Sequence, residues 1–257
     1  MNAAKLIWDC WQTGKKIEKF PDDISPKTRK EAYEIQKCYE KFSNSGIVGW
    51  KIAATSVEGQ NHIGVSGPLA GRILKERVFT PKDKLNFAGN KMAVAEPEFA
   101  FKMGTTFKPR KSDYNLEEVM NGVVSLHPSI EIPDSRFINF SLVGELSLIA
   151  DNACAHDFVI GPSMPNLWQS TKLSDHNITI SVLNKKSHQG KGSNVLGDPG
   201  IALTWLINEL SKNNITLYEG MLVSTGTCAK PIEVSPGDTV NVDYGILGNM
   251  TVSFNLT

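Results

Sequence analysis

Glu96 and Glu98 stand two residues apart inside the apolar run Met92-Ala-Val-Ala-Glu-Pro-Glu-Phe-Ala-Phe-Lys102. The run reads as a strand over residues 92–103, and a strand's period of two places both carboxylates on one face. Their neighbours on that face, Val94 and Ala100, are apolar, so the face is not one washed by water. Like charges in such a setting repel, and each also carries a desolvation cost. A hard divalent cation removes both penalties, because Mg²⁺ and similar ions prefer carboxylate oxygens. The competing reading is a polar strand face at a sheet edge, with Pro97 marking the edge. The spacing leaves both open.

Charge narrows the partners. The 257 residues carry 27 basic and 27 acidic side chains, so no excess positive field exists to steer nucleic acid or an anionic membrane. The basic cluster at residues 108–111 reads as solvated surface. No apolar stretch approaches the roughly 20 residues needed to span a bilayer. Cys10, Cys38, Cys154 and Cys228 are far apart and form no Cys-x-x-Cys pattern, which argues against zinc-ribbon or thioredoxin-like chemistry. The first residues lack the apolar core of a signal peptide, and a cytoplasmic protein with reduced thiols is the expectation.

Periodicity predicts helices at residues 3–13 and from Ser25-Pro26 toward Gly46, where Ser caps and Pro takes the first helical position. A strand follows at 47–53, then a short helix near 56–62 and a turn-rich stretch to Gly71. Strands are expected at 92–103, 124–132, 177–183, 220–225, 238–244 and 249–254. Helical spacing appears at 116–123, 145–154 and 200–210. Without steady βαβ alternation, the pattern predicts an α+β fold with a mixed or antiparallel sheet. It divides into a helical N-terminal portion, 1–46, packed on a β-rich domain, 47–257.

Several segments together resemble the 2-keto-4-pentenoate hydratase and oxalocrotonate decarboxylase group of the fumarylacetoacetate hydrolase superfamily. They are Gly49-Trp-Lys-Ile, Ala95-Glu-Pro-Glu-Phe-Ala-Phe, Ile130-Glu-Ile-Pro-Asp-Ser-Arg-Phe, Ala150-Asp-Asn-Ala, Gly197-Asp-Pro, Ala202-Leu-Thr-Trp-Leu, Pro236-Gly-Asp-Thr-Val and Tyr244-Gly-Ile-Leu-Gly-Asn-Met-Thr-Val-Ser-Phe. They keep the family's order along essentially the whole chain. The resemblance implies a mixed β-sheet roll and a homo-oligomer. It implies Glu131 as a third ligand beside Glu96 and Glu98, holding Mg²⁺ or Mn²⁺. On the residues alone, Glu131 reads instead as a partly buried residue paired with Arg136. Lys51 is implied as the proton-transfer residue, with a pKa lowered by burial near a metal; otherwise it is a lysine on a polar strand face. Asn152, Gly226 and Thr227 are implied around the substrate. The other readings are a helix end for Asn152 and a strand-end turn for 225–227. His62 and Arg72 flank a Gly-rich loop that either covers a pocket or lies on the surface.

The implied activity is a metal-dependent lyase on a small-molecule 2-oxo or 2-hydroxydienoic acid, adding water through a metal-stabilised enolate as 2-keto-4-pentenoate hydratases do. Vinylogous decarboxylation of an oxalocrotonate-like acid uses the same electron sink, and a non-catalytic metal-dependent 2-oxo acid binder is the third possibility. One departure stands out. Family hydratases carry an acid directly after the proline of the Gly-rich loop, whereas here Pro68 is followed by Leu69.

Overall fold

The computed structural model describes residues 2–87 and 89–256. Helices α1 (Asn2–Thr13), α2 (Arg29–Lys37) and α3 (Tyr39–Phe42) precede the first strand, β1 (Ile47–Ala53). Then follow α4 (Val57–Ile63), β2 (Leu69–Leu74), β3 (Val78–Phe79), β4 (Lys84–Leu85), β5 (Val94–Met103), α5 (Leu116–Asn121), β6 (Val123–Ile132), α6 (Glu145–Ala150) and β7 (Asp157–Ile160). The chain finishes with β8 (Asn177–Val182), β9 (Lys186–Lys191), α7 (Pro199–Lys212), β10 (Leu222–Thr227), β11 (Ile232–Glu233), β12 (Thr239–Asp243) and β13 (Asn249–Phe254).

Local chemistry explains where two of the helices begin. The Thr28 hydroxyl accepts the Glu31 N–H at 3.1 Å and starts α2, three residues later than Ser25-Pro26 suggested. Asp198 caps α7 by accepting the Gly200 N–H at 2.7 Å, with Pro199 in the first turn. The expected helix over 145–154 stops at Ala150, and the turn-rich stretch before Gly71 is strand from Leu69 onward.

Among the described residues the strands form two sheets. The larger has the order β2-β1-β10-β5-β6-β7-β3, with β11 added beside β5; the smaller runs β4-β13-β12-β8-β9. In the larger sheet β1 pairs with β10, and β3 with β7, in parallel; its other pairings are antiparallel. Strands β2 and β3 lie at opposite ends of that order, yet only Lys75–Arg77 separate them in sequence. The sheet therefore curls until its ends nearly meet.

Curling gives the sheet an inner and an outer face. Outward go Ala95, Phe99, Phe101 and Met103 of β5, into a core that also holds Val240, Val252 and Phe254 of the smaller sheet and Ile7 and Trp11 of α1. The inner face carries a small apolar cluster of its own: Ile73, Ala100 and Phe158, flanked by Val48, Val78, Ile160 and Leu222. Glu96 and Glu98 share the strand parity of Ala100. They sit on the inner face, at one end of the roll.

Candidate active site

Sheet register assembles the acidic cluster. Glu96 pairs with Glu131 and Glu98 with Ser129 across the β5–β6 ladder, so all three carboxylates face the same interior. One oxygen from each of Glu96, Glu98 and Glu131 lies within 4.8 Å of the others. Glu98 and Glu131 are buried and Glu96 half-buried. Glu98 Oε2 accepts from the Ser224 hydroxyl and from the Gly226 N–H at 3.1 Å. Its Oε1, like Oε2 of Glu131, is buried with no hydrogen-bond donor among the described residues. A buried carboxylate oxygen without a donor is costly. Hard oxygens converging in this way fit a divalent cation such as Mg²⁺ or Mn²⁺.

Lys51 projects from the middle of β1 into this cluster. Its Nζ lies 2.9 Å from Glu131 Oε1 and donates to the Ala153 carbonyl at 2.8 Å. That carbonyl arrives through an unusual piece of backbone. Asn152, Ala153 and Cys154 have φ of 58°, 51° and 60°, three consecutive left-handed residues without a glycine. Such residues cost about 1–2 kcal/mol each and persist only where surroundings over-determine them. Here the surroundings do. Asn152 Oδ1 accepts the Arg72 N–H at 2.6 Å and its Nδ2 donates to the Arg72 carbonyl at 2.8 Å. The Asp134 N–H donates to the Cys154 carbonyl at 3.0 Å, and the buried Arg136 holds Asp151, just upstream, at 2.5 Å.

Electrostatics of the cluster follow from burial and crowding. Desolvation, then the Glu131 charge, push Glu96 up to about 7. Desolvation and the same neighbours raise Glu98 well above the ordinary carboxylate value, and burial raises Glu131 despite Lys51. Burial pulls Lys51 down, but Glu131, Glu96 and Glu98 reverse this and hold its ammonium above the usual lysine value. The lowered lysine pKa expected from the sequence is therefore reversed by the three carboxylates, and a cation that neutralises them removes the upward push.

A pH dependence of stability follows. Below about pH 4.5 the carboxyls are protonated in both folded and unfolded chains. Between there and about pH 7 the unfolded chain ionises while folded Glu96 keeps its proton, so this contribution to stability is lost as pH rises. In EDTA the melting temperature should fall by roughly 5 °C from this source between pH 5 and 7.5. Added Mg²⁺ should raise it most at the upper end. Scanning fluorimetry across that range tests this, and an Mg²⁺ effect that shrinks toward pH 7.5 would contradict it.

The residues assigned to substrate by resemblance have partners within the protein. Asn152 engages both amide atoms on Arg72, and the Gly226 N–H is taken by Glu98. Gly226, at φ 101°, lies against Thr55, where a Cβ would come 2.3 Å from Oγ1. Thr227 donates to the Ala229 carbonyl at 2.6 Å but is half-buried and pairs with Glu98 across the bulge in β10. Arg72 points away from the site, since it pairs with Trp50, and is buried with Gln36 and Glu40. His62 stacks edge-on against Phe140 at 5.9 Å.

Sequence reasoning missed Ser224, Ser129 and Tyr244. Ser224 pairs with Lys51 on one side and Ala100 on the other, which places it on the inner face beside Glu98. The Tyr244 hydroxyl, coming from the end of β12, reaches the carbonyls of Glu98 at 2.7 Å and Ser129 at 3.0 Å.

No family model matches the chain. Among curated proteins, 2-keto-4-pentenoate hydratase of Paraburkholderia xenovorans is 26% identical over 255 residues, covering 98% of this chain and 93% of that protein. A 4-oxalocrotonate decarboxylase of Pseudomonas putida is 27% identical over 242 residues, covering 93% and 90%. Among solved structures, 4-oxalocrotonate decarboxylase from Pseudomonas putida G7, complexed with magnesium and adipate, superposes with a TM-score of 0.88 at 24% identity, covering 98% of this chain and 96% of that one. A fumarylpyruvate hydrolase from Pseudomonas aeruginosa, in complex with Mn²⁺ and pyruvate, has the same fold at a TM-score of 0.62 and 16% identity, over 84% and 93%. Along nearly its whole length the chain is therefore similar in sequence to 2-keto-4-pentenoate hydratases and 4-oxalocrotonate decarboxylases, and it shares the fold of the solved 4-oxalocrotonate decarboxylase.

Proposed function

We propose that this protein is a metal-dependent lyase of 2-oxo and 2-hydroxydienoic acids, adding water as a 2-keto-4-pentenoate hydratase does. The observation that carries the reading is the convergence of Glu96, Glu98 and Glu131 beside a buried lysine, with one oxygen each of Glu98 and Glu131 lacking a donor among the described residues. Held by these carboxylates, Mg²⁺ or Mn²⁺ supplies Lewis-acid polarisation of a chelating 2-oxo acid.

The chain's own groups do the rest. Ser224 and the Gly226 N–H hold Glu98 in place, and the Tyr244 hydroxyl ties together the two strands that carry the carboxylates. Lys51 is the group placed to give and take the proton on the carbon chain. Protonation at the diene terminus converts a 2-hydroxypenta-2,4-dienoate to the conjugated 2-oxo-3-enoate. Water adding at C4 then gives the 4-hydroxy-2-oxo acid. Thr227, on the face of Glu98, is the residue of β10 best placed to meet substrate.

A second reading rests on Leu69. It pairs with Ala53, two residues from Lys51, and so shares the lysine's strand parity, but it is buried in the main core and offers no ionisable group. A site with Lys51 as its proton carrier suits vinylogous decarboxylation as well as hydration. A merely binding role fits worse, because it gives no reason for a buried lysine among the carboxylates. Cytosolic placement agrees with four unpaired cysteines, and a homo-oligomer, resting on family resemblance, is read by light scattering.

The experiment is an Mg²⁺-dependent ultraviolet assay against a panel of 2-hydroxydienoates and 2-oxo-enedioates. Loss of dienol absorbance with formation of the 4-hydroxy-2-oxo acid is expected. Release of CO₂ from an enedioate would favour the second reading, and no turnover of any member would overturn both.

A further inference from the structure

The left-handed turn at 152–154 lies outside the metal cluster, yet consecutive groups in it touch the parts that place Lys51. Strand β2 is the end strand of its sheet order, and the Asn152 amide closes on the Arg72 N–H and carbonyl there much as a neighbouring strand would. The Asn152 carbonyl sits over Gly71, where a Cβ would come 2.4 Å from that oxygen and 3.0 Å from Lys51 Cδ. The bare glycine thus lets the turn nest against the lysine stem. One residue further on, the Ala153 carbonyl accepts from Lys51 Nζ at 2.8 Å. A right-handed continuation of α6 through these residues would carry that carbonyl elsewhere.

We propose that Asn152 is a positioning residue for Lys51: by closing onto the backbone of Arg72 it fixes the left-handed turn whose Ala153 carbonyl holds the lysine amine beside the three carboxylates. The proposal rests on the reading of Lys51 as the proton-transfer group. It differs from the substrate-binding role that resemblance assigns to Asn152, because both amide atoms are engaged by the protein. It differs also from a purely structural role, because the carboxylates stand on β5 and β6 and do not depend on the turn.

Kinetics of two variants separate these roles. Asn152→Ala should lower kcat by about 10–100-fold, the scale of an ångström-sized misplacement, while KM and the Mg²⁺-dependent affinity for oxalate change by less than about threefold. Adding Ala153→Gly should recover a measurable part of the lost kcat, because glycine adopts positive φ without penalty and the turn re-forms without its clamp. A raised KM with kcat retained, or no recovery with glycine, would show contact with substrate and overturn the proposal. Unchanged kcat would leave only a structural role and also overturn it. If Asn152→Ala does not fold, Asn152→Asp keeps the size and the acceptor for the Arg72 N–H but loses the donor, and is read the same way. If the unmutated protein turns over none of the panel, the proposed function fails separately. A crystal structure of Asn152→Asp then decides the positioning: Lys51 Nζ beyond about 3.5 Å from the residue-153 carbonyl supports it, and a retained hydrogen bond overturns it.

Discussion

Lys51→Arg is expected to lower turnover by a factor of about 10²–10⁴, the usual worth of general acid–base catalysis, with oxalate still binding to the Mg²⁺-loaded protein. Arginine keeps the positive charge next to Glu131 but cannot release a proton near neutral pH. If Lys51 served only to balance the three carboxylates, the substitution would retain most activity. The substitution is not silent structurally, because the lysine is buried and its Cδ packs over Gly71. Lys51→Met, which keeps the stem and drops the amine, therefore accompanies it. Both variants should lose turnover, and calorimetric oxalate affinity in excess Mg²⁺ should stay within a few-fold for Lys51→Arg. Near-normal turnover in Lys51→Arg would remove the proton-transfer role.

Glu98→Gln should affect activity and stability in opposite directions. Glutamine keeps the volume and can still accept from Ser224 and the Gly226 N–H. It loses the negative charge, so Mg²⁺ affinity should drop by at least about 10²-fold, more than the 10–100-fold typical of losing an outer-shell partner, and turnover should vanish. In EDTA the same change removes one of three crowded, desolvated carboxylates. The variant should then melt a few degrees higher than the unmutated protein near pH 7.5. Calorimetric Mg²⁺ titration together with melting in EDTA reads both effects. Unaltered metal affinity would end the assignment of Glu98 as a ligand.

The part of this site legible in the sequence was the part with short-range periodicity. Glu96 and Glu98 declare a shared face because two residues is the period of a strand. Glu131 and Lys51 do not, since they meet that pair through register across separate strands, and only resemblance brought them in. The helix expected over 145–154 failed at an identifiable place. Asn152 is the one residue of the three that tolerates positive φ well, and nothing in Asn-Ala-Cys signals that a tertiary clamp will reverse the hand of the backbone. Gly67, Pro68 and Gly71 read as turn, yet Gly71 serves close packing inside β2 against the Asn152 carbonyl. Strand β9, Lys186-Ser-His-Gln-Gly-Lys, escaped because it is a polar end strand without apolar alternation. Tyr244 was quoted as the start of a matching segment, but its reach to the Glu98 and Ser129 carbonyls belongs to the packing of one sheet on the other.

The parallel pairing of β1 with β10 has a consequence for how the molecule is made. Gly49 lies opposite Leu222 and Lys51 opposite Ser224, so the strand carrying the lysine waits for its neighbour while most of the chain is synthesised. At about 5–20 residues per second that interval is roughly 10–35 s. Until then one side of β1 has only backbone groups awaiting a partner, an exposure that invites association between nascent chains. Catalytic competence should accordingly be among the last properties to emerge on refolding, and no fragment that ends before β10 can possess it.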